Sequence, residues 1–328
     1  MACGRREAVH LTNKEQDMRI LVVGAGAIGG YFGARLLEAG RDVTFLVRER
    51  RAERLRQCGL KVKSPEGDLA FACPPMVLAK DIDQPYDLVL LSCKAYDLQG
   101  AIDSFAPAVG PGTAILPLLN GMGHLDALDA RFDPANVLGG QCVIAATLDA
   151  EGEILHLNNM HSMTIGERGG GRSARIDAIA AQLGGAGFDL NVSEDILQSM
   201  WDKWVFLATL ATGTCLMRAP IGDILAAPGG EALLVQLFDE CRGIAADNAH
   251  APGEAVVARA RAFFSERGSL MTASMLRDLE NGAPIEADHI VGDLLARRRT
   301  AVGGLSALAV AYAHLKSYEA RRTRMARA

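Results

Sequence analysis

The chain has 328 residues, 49% of them apolar and 22% charged, with a formal net charge of -5. That length allows two domains, each with its own core. The acidic balance speaks against a nucleic-acid binder, whose phosphate-facing surface carries a basic excess. Seven cysteines, never spaced as CxxC, point to reduced thiols in a cytoplasmic setting rather than a disulfide framework. No HExxH occurs among the seven histidines, so no metal is expected.

Residues 1–17 are polar, mixed in charge and without the apolar core of a signal peptide, and read as a flexible extension. Residues 18–23 (MRILVV) form a short apolar run ending at glycines, as a buried parallel strand does. A helical pattern over residues 28–38 stops at Gly40, a C-terminal cap position, and residues 43–47 read as a second strand. Strand, glycine turn, helix and strand make a βαβ unit. Further on, residues 87–92 and 113–116 read as strands around a helix at 97–105. Residues 137–147 and 153–157 read as strands paired about a turn, and 163–166 and 188–192 as strands flanking a helix at 173–183.

After Ser193 the texture becomes helical, with patterns over 194–210, 230–248, 253–266, 289–300 and 305–318. The expected architecture is α/β: a Rossmann-type doubly wound domain over residues 18–193, packed against an all-α domain over 194–328. The apolar stretch 205–217 is too short to cross a bilayer and holds Thr209, Thr212, Gly213 and Thr214, so no membrane partner is expected.

The turn Gly24-Ala25-Gly26-Ala27-Ile28-Gly29 is a complete GxGxxG between strand and helix. Gly24 permits the tight turn, Gly26 lets backbone approach a pyrophosphate, and Gly29 lets helix and strand pack closely. The helix N-terminus offers free N–H groups and partial positive charge to the phosphates. An NAD site carries Asp or Glu at the end of the second strand. Here that strand ends in Arg48, followed by Arg50 and Arg51, and an arginine fork matches the 2′-phosphate of NADP. An exposed helix start is the plainer alternative, which Glu49 keeps open.

Four more segments follow in order: Ser92-Cys93-Lys94, Asn120-Gly121-Met122-Gly123, Trp201-Asp202-Lys203-Trp204, and Ser274-Met275-Leu276-Arg277-Asp278 with Glu286 downstream. This succession resembles the ketopantoate reductase (2-dehydropantoate 2-reductase) family over nearly the whole chain after residue 17. The resemblance implies an NADPH-dependent reduction of a 2-keto acid, such as 2-dehydropantoate in pantothenate biosynthesis, to its 2-hydroxy acid. It implies cofactor contacts from the glycine turn, Arg48, Lys94, Asn120, Ala146 and Glu286. It also implies substrate contacts from Asn120, Lys203 and Ser274, with Lys203 as general acid.

Lys203 suits that chemistry by type as well. Hydride addition to a ketone builds negative charge on oxygen, which needs a proton donor within reach. Met200, Trp201, Trp204 and Leu207 surround it in sequence, a setting dry enough to lower a lysine pKa. Taken singly, each residue has a plainer reading: Lys203 as a snorkelling surface lysine, Glu286 as a charge at a helix start, Asn120 as a turn residue, Lys94 as a solvated strand end, and Ser274 as a mid-helix serine facing water.

Leu207, Ala211 and Met271, and approximately Ile221, stand where the family commonly carries asparagines. This predicts a retained reduction apparatus with a more apolar substrate pocket. Tyr312 and Lys316 spell the YxxxK of short-chain dehydrogenases, but in a terminal helix outside the dinucleotide domain. The competing readings are a two-domain dehydrogenase of 3-hydroxy-acid or opine type, and a non-catalytic NADP-binding sensor. A homodimer stays open.

Overall fold

The computed structural model describes residues 18–301 and 303–326; the expected extension over residues 1–17 lies outside them. In chain order come β1 (Ile20–Val23), α1 (Ala27–Glu38), β2 (Val43–Leu46), α2 (Glu49–Cys58), β3 (Leu60–Lys63), β4 (Leu69–Phe71), β5 (Met76–Val77), β6 (Leu88–Leu91), α3 (Leu98–Phe105), β7 (Ala114–Pro117) and α4 (Gly123–Asp129). Then follow β8 (Gly139–Leu148), β9 (Ile154–Gly166), α5 (Ala174–Leu183) and β10 (Asp189–Val192). The remainder is helical among the described residues: α6 (Ile196–Met217), α7 (Ile221–Ala226), α8 (Gly230–Asp247), α9 (Glu254–Phe264), α10 (Ser274–Glu280), a π-turn (Asp288–Gly292), α11 (Asp293–Ala296) and α12 (Ala307–Ala326).

The first sheet is parallel, in the order β5-β2-β1-β6-β7. The chain steps one way from β1 and the other way from β6, so the carboxyl ends of these two strands flank the switch point where α/β sheets bind ligands. β1 and β6 are buried at every position, as strands covered on both faces must be. A second, mixed sheet is built on β9, which pairs with β10 and β3 in parallel and β8 antiparallel.

Helix α1 lies between the two sheets. A Cβ at Gly33 would strike the Phe45 ring on β2, and one at Gly30 would strike Ile154 on β9. Glycines on two faces let this helix touch both layers. A Cβ at Gly29 would collide with the Gly24 carbonyl and the Ser92 hydroxyl. Gly29→Ala is therefore expected to cost about 1–3 kcal/mol by overpacking, read as a lowered Tm.

Two expected elements differ. The strands expected at 153–157 and 163–166 are one strand, β9, whose polar middle (Asn158, Asn159, His161) breaks the apolar alternation. Its pairing with β8 shifts register between Ile144 and Ala146. The helix expected over 289–300 is present but ends early, at Ala296, and its first part is the π-turn. In that π-turn the Ile290 carbonyl accepts the Trp204 indole N–H at 2.9 Å, a side-chain partner of the kind that π-turns leave room for.

Helix α6 is the axis of the second domain and is apolar nearly all round, as a helix enclosed by its neighbours should be. Its buried Thr209, Thr212 and Thr214 donate to the carbonyls of Val205, Ala208 and Leu210, so none of the three hydroxyls is stranded. No described helix is long and apolar enough to cross a membrane.

Candidate active site

The glycine turn follows β1 directly. Gly24 has φ of 92°, a left-handed conformation open to glycine, and Gly26 is the N-cap of α1. Ser92, at the end of β6, donates to the Val23 carbonyl at 3.1 Å and closes the floor of the turn. A Cβ on Gly26 would meet nothing within 4 Å, so the space ahead of the helix N-terminus is open.

Two arginines border this space differently. Arg48 caps α2 with a side chain 72% exposed and pairs with Asp97 at 2.8 Å. The Asp97 hydrogen bond and charge hold its pKa above the ordinary value. Arg51 turns inward: Nε donates to the Ala25 carbonyl at 3.1 Å, and one terminal nitrogen to the Gly152 carbonyl at 3.2 Å. Its other terminal nitrogen is buried without a partner. An open helix N-terminus with a stranded guanidinium N–H beside it fits the phosphates of a dinucleotide.

At the end of β6, the second domain reaches across. Glu286 accepts the Ala95 N–H at 3.0 Å and the Lys94 ammonium at 3.3 Å, and Asp278 takes Lys94 from the other side at 3.1 Å. Burial works against the Lys94 charge, but the Glu286 and Asp278 carboxylates outweigh it and raise its pKa. After β7 comes the turn at Asn120 and Gly121, the latter with φ of 76°. A Cβ at Gly121 would stand 2.8 Å from the His289 carbonyl in the π-turn. The His289 ring lies 3.4 Å from Nδ1 of the fully buried His124. Burial holds both histidines below their usual pKa, which favours a neutral pair behind the Asn120 turn.

Lys203, on the first half of α6, extends to β8 and donates to the Cys142 carbonyl at 2.7 Å. Burial of its ammonium lowers its pKa from the 10.5 of a free lysine, with the Cys142 thiol and Glu286 pulling the other way. Lys203 shares a small recess with Asn120, Gly121, Gln141, Trp204 and Leu207. On its other side opens a cavity of about 470 Å³, bordered by Gln141, Phe206 and residues of α8 and α9.

Beyond the glycine turn and Arg48, the residues singled out from sequence fall into two pairs and two outliers. Lys203 and Asn120 line one recess, and Lys94 and Glu286 are bonded. Ala146 lies further along β8, beyond the register shift. Ser274 is exposed at the first turn of α10, not mid-helix. Of the substituted asparagine positions, Leu207 lines the recess, Ala211 and Ile221 are buried in the helical core, and Met271 is 37% exposed. Tyr312 and Lys316 both bind Asp288, tying α12 to the π-turn. Gln141, the inward turn of Arg51 and His289 had not been anticipated. Only Arg51 had a signal, as part of the basic run after Arg48.

Two family descriptions match the chain in succession: Ketopantoate reductase PanE/ApbA over residues 20–170, and Ketopantoate reductase PanE/ApbA C terminal over residues 195–319. Among curated proteins, an uncharacterized oxidoreductase, YkpB of Bacillus subtilis, is 37% identical over 92% of this chain and 99% of its own. The 2-dehydropantoate 2-reductase of Mesorhizobium japonicum is 30% identical over 84% of this chain and 89% of its own. Among solved structures, 2-dehydropantoate 2-reductase from Geobacter metallireducens superposes with a TM-score of 0.82 at 30% identity, over 92% of this chain and 99% of that one. D-mandelate dehydrogenase, solved with NADH and anilino(oxo)acetate, reaches the same TM-score of 0.82 at 21% identity over 93% of this chain and 100% of that one, a likeness of fold. With both halves matched in order, the chain belongs to the ketopantoate reductase PanE/ApbA family of oxidoreductases, which use a nicotinamide cofactor.

Proposed function

We propose that the chain reduces a 2-keto acid to the 2-hydroxy acid with NADPH, and that Lys203 supplies the proton. One observation carries the reading: a lysine of lowered pKa, reaching the Cys142 carbonyl at 2.7 Å, lines the recess that holds Asn120. The bound nicotinamide supplies a hydride to the carbonyl carbon. The Lys203 ammonium donates a proton to the oxygen as charge develops there, which completes the alcohol. Asn120 offers a side-chain amide to the same oxygen or to the carboxylate. Lys94 and Glu286 border the nicotinamide end, Ala146 touches the cofactor from β8, and Gly24 to Gly29 take the pyrophosphate. Ser274 meets the substrate from α10, a role that its exposed position leaves to closure of the cleft. Reactive groups across a cleft often tighten only in the complex.

The substrate is ketopantoate or a more apolar relative, since Leu207 lines the recess where an asparagine stands in the resemblance. The test is NADPH oxidation against a panel of 2-keto acids that includes ketopantoate, with NADH as control. High turnover of ketopantoate at micromolar KM would remove the altered-pocket reading and place the chain in pantothenate synthesis. A sensor would bind NADPH and turn over nothing.

NADPH is favoured over NADH by Arg48 at the end of β2 and by Arg51 beside it. Arg48→Ala is expected to weaken NADPH binding about tenfold, one charge-assisted bond's worth, with NADH binding unchanged. Titration of nicotinamide fluorescence checks this, and an equal loss for both cofactors would remove Arg48 as the discriminator.

A further inference from the structure

The cavity on the α9 side of Lys203 is unused by the chemistry above. We propose that it receives the side chain of the substrate, so that this reductase takes 2-keto acids with a bulky aromatic side chain, and that Gln141 is the polar contact at the joint between cavity and recess. The inference rests on the keto-acid reductase reading and specifies its substrate class.

Size is the first argument. The recess shared by Asn120, Lys203 and Leu207 measures about 10 Å³, about the space of one water. It has room for a carbonyl oxygen and not for a side chain. The neighbouring cavity measures about 470 Å³, within the range of small-molecule sites. Lys203 and Gln141 line both, so a substrate whose carbonyl meets Lys203 has the larger space directly beside it.

The walls supply the second argument. Phe206, Phe238, Phe263, Val256 and Ala260 face the cavity. Phe206 packs on Phe263 edge-to-face with centroids 4.8 Å apart, the geometry in which an added ring finds further edges and faces. Asp202, also lining the cavity, already accepts a hydrogen bond from Gln198 at 2.8 Å. Arg259 lines the same cavity and acts on Asp202 with the opposite charge, so the ionised groups of the wall do not decide which end of the substrate enters. The aromatic and aliphatic part of the wall is what favours the apolar end of the substrate.

Gln141 supplies the third. It precedes Cys142, whose carbonyl holds Lys203, and its Oε1 is buried with no hydrogen-bond partner. A buried amide oxygen without a donor is an exception in folded proteins. The hydroxyl of a 2-hydroxy acid beside Lys203 would satisfy it. Leu207 and Ala211 bring no amide from α6, whereas Gln141 brings one from β8.

The test uses the full chain and NADPH, with pyruvate and phenylpyruvate as paired substrates. The unaltered protein should show the higher kcat/KM for phenylpyruvate. Val256→Trp, which narrows the cavity, should lower the ratio of phenylpyruvate to pyruvate kcat/KM at least tenfold, and Ala260→Leu should move it the same way should the first variant fold poorly. Gln141→Leu should raise KM about tenfold for both acids, with the NADPH dissociation constant unmoved. An unchanged ratio in whichever cavity variant retains the parent's circular dichroism would overturn the cavity assignment while leaving the reductase reading intact. Reduction of neither acid, nor of any other 2-keto acid, by a protein that binds NADPH would overturn both.

Discussion

Lys203→Ala is expected to lower kcat by about 10²–10⁴-fold, the usual contribution of a positioned general acid, while NADPH still binds. The Cys142 carbonyl orients the ammonium without neutralising it, since a carbonyl accepts a hydrogen bond and carries no charge. Burial lowers the pKa from 10.5 and brings the proton nearer to transfer at neutral pH. Activity should accordingly be full while Lys203 is protonated and fall as pH rises through its pKa, below 10.5. The variant should lose that alkaline limb together with the rate. Lys203→Arg keeps the charge but cannot release a proton near neutrality, so it should not restore kcat. Stopped-flow hydride transfer against pH separates these outcomes. A variant that keeps most of its turnover and its alkaline limb would show that the proton comes from elsewhere.

The parts legible in the sequence share one property: local pattern and chemistry coincide there. The run MRILVV followed by GAGAIG needs only strand hydrophobicity and glycine geometry, and the structure has β1, the turn and α1 in that order. For Lys203 only the dry setting was legible in its neighbours, of which Trp204 is buried, whereas its proposed role came from the resemblance. Less visible was anything decided by distant partners. The second sheet depends on β3 joining β9 across some ninety residues, with Val62 opposite Ile154. The π-turn depends on a Trp204 side chain donating to Ile290. Gln141 sits in a strand of ordinary polarity, and only the approach of α6 sets it beside Lys203. Such placements are tertiary, and a periodicity argument has no access to them.

Glu286 carries the second large expectation, because it joins the two domains at the carboxyl end of β6. Its carboxylate is 9% exposed and engages both the Ala95 N–H and the Lys94 ammonium. Glu286→Ala strands that N–H, a loss of about 1–3 kcal/mol for a buried group left unpaired. The Lys94 share is smaller: its side chain is 43% exposed, and Asp278 remains as a partner. Catalysis should suffer more than stability, since Lys94 and Ala95 follow β6 at the switch point and lose their tie to the second domain. We expect kcat/KM to fall about a hundredfold, the scale of a misplaced reacting group. Glu286→Gln should recover part of this, because its amide oxygen can still accept from Ala95. The linkage to pH has a definite sign. The raised Lys94 pKa means that the pair stabilises the fold at pH below 10.5 and that this contribution is lost as pH rises through the higher folded-state value. Glu286→Ala should therefore melt below the parent at neutral pH, and the gap should narrow above pH 10.5, where the parent loses its own pair. A constant gap across that range would assign the stabilisation to the Ala95 hydrogen bond alone.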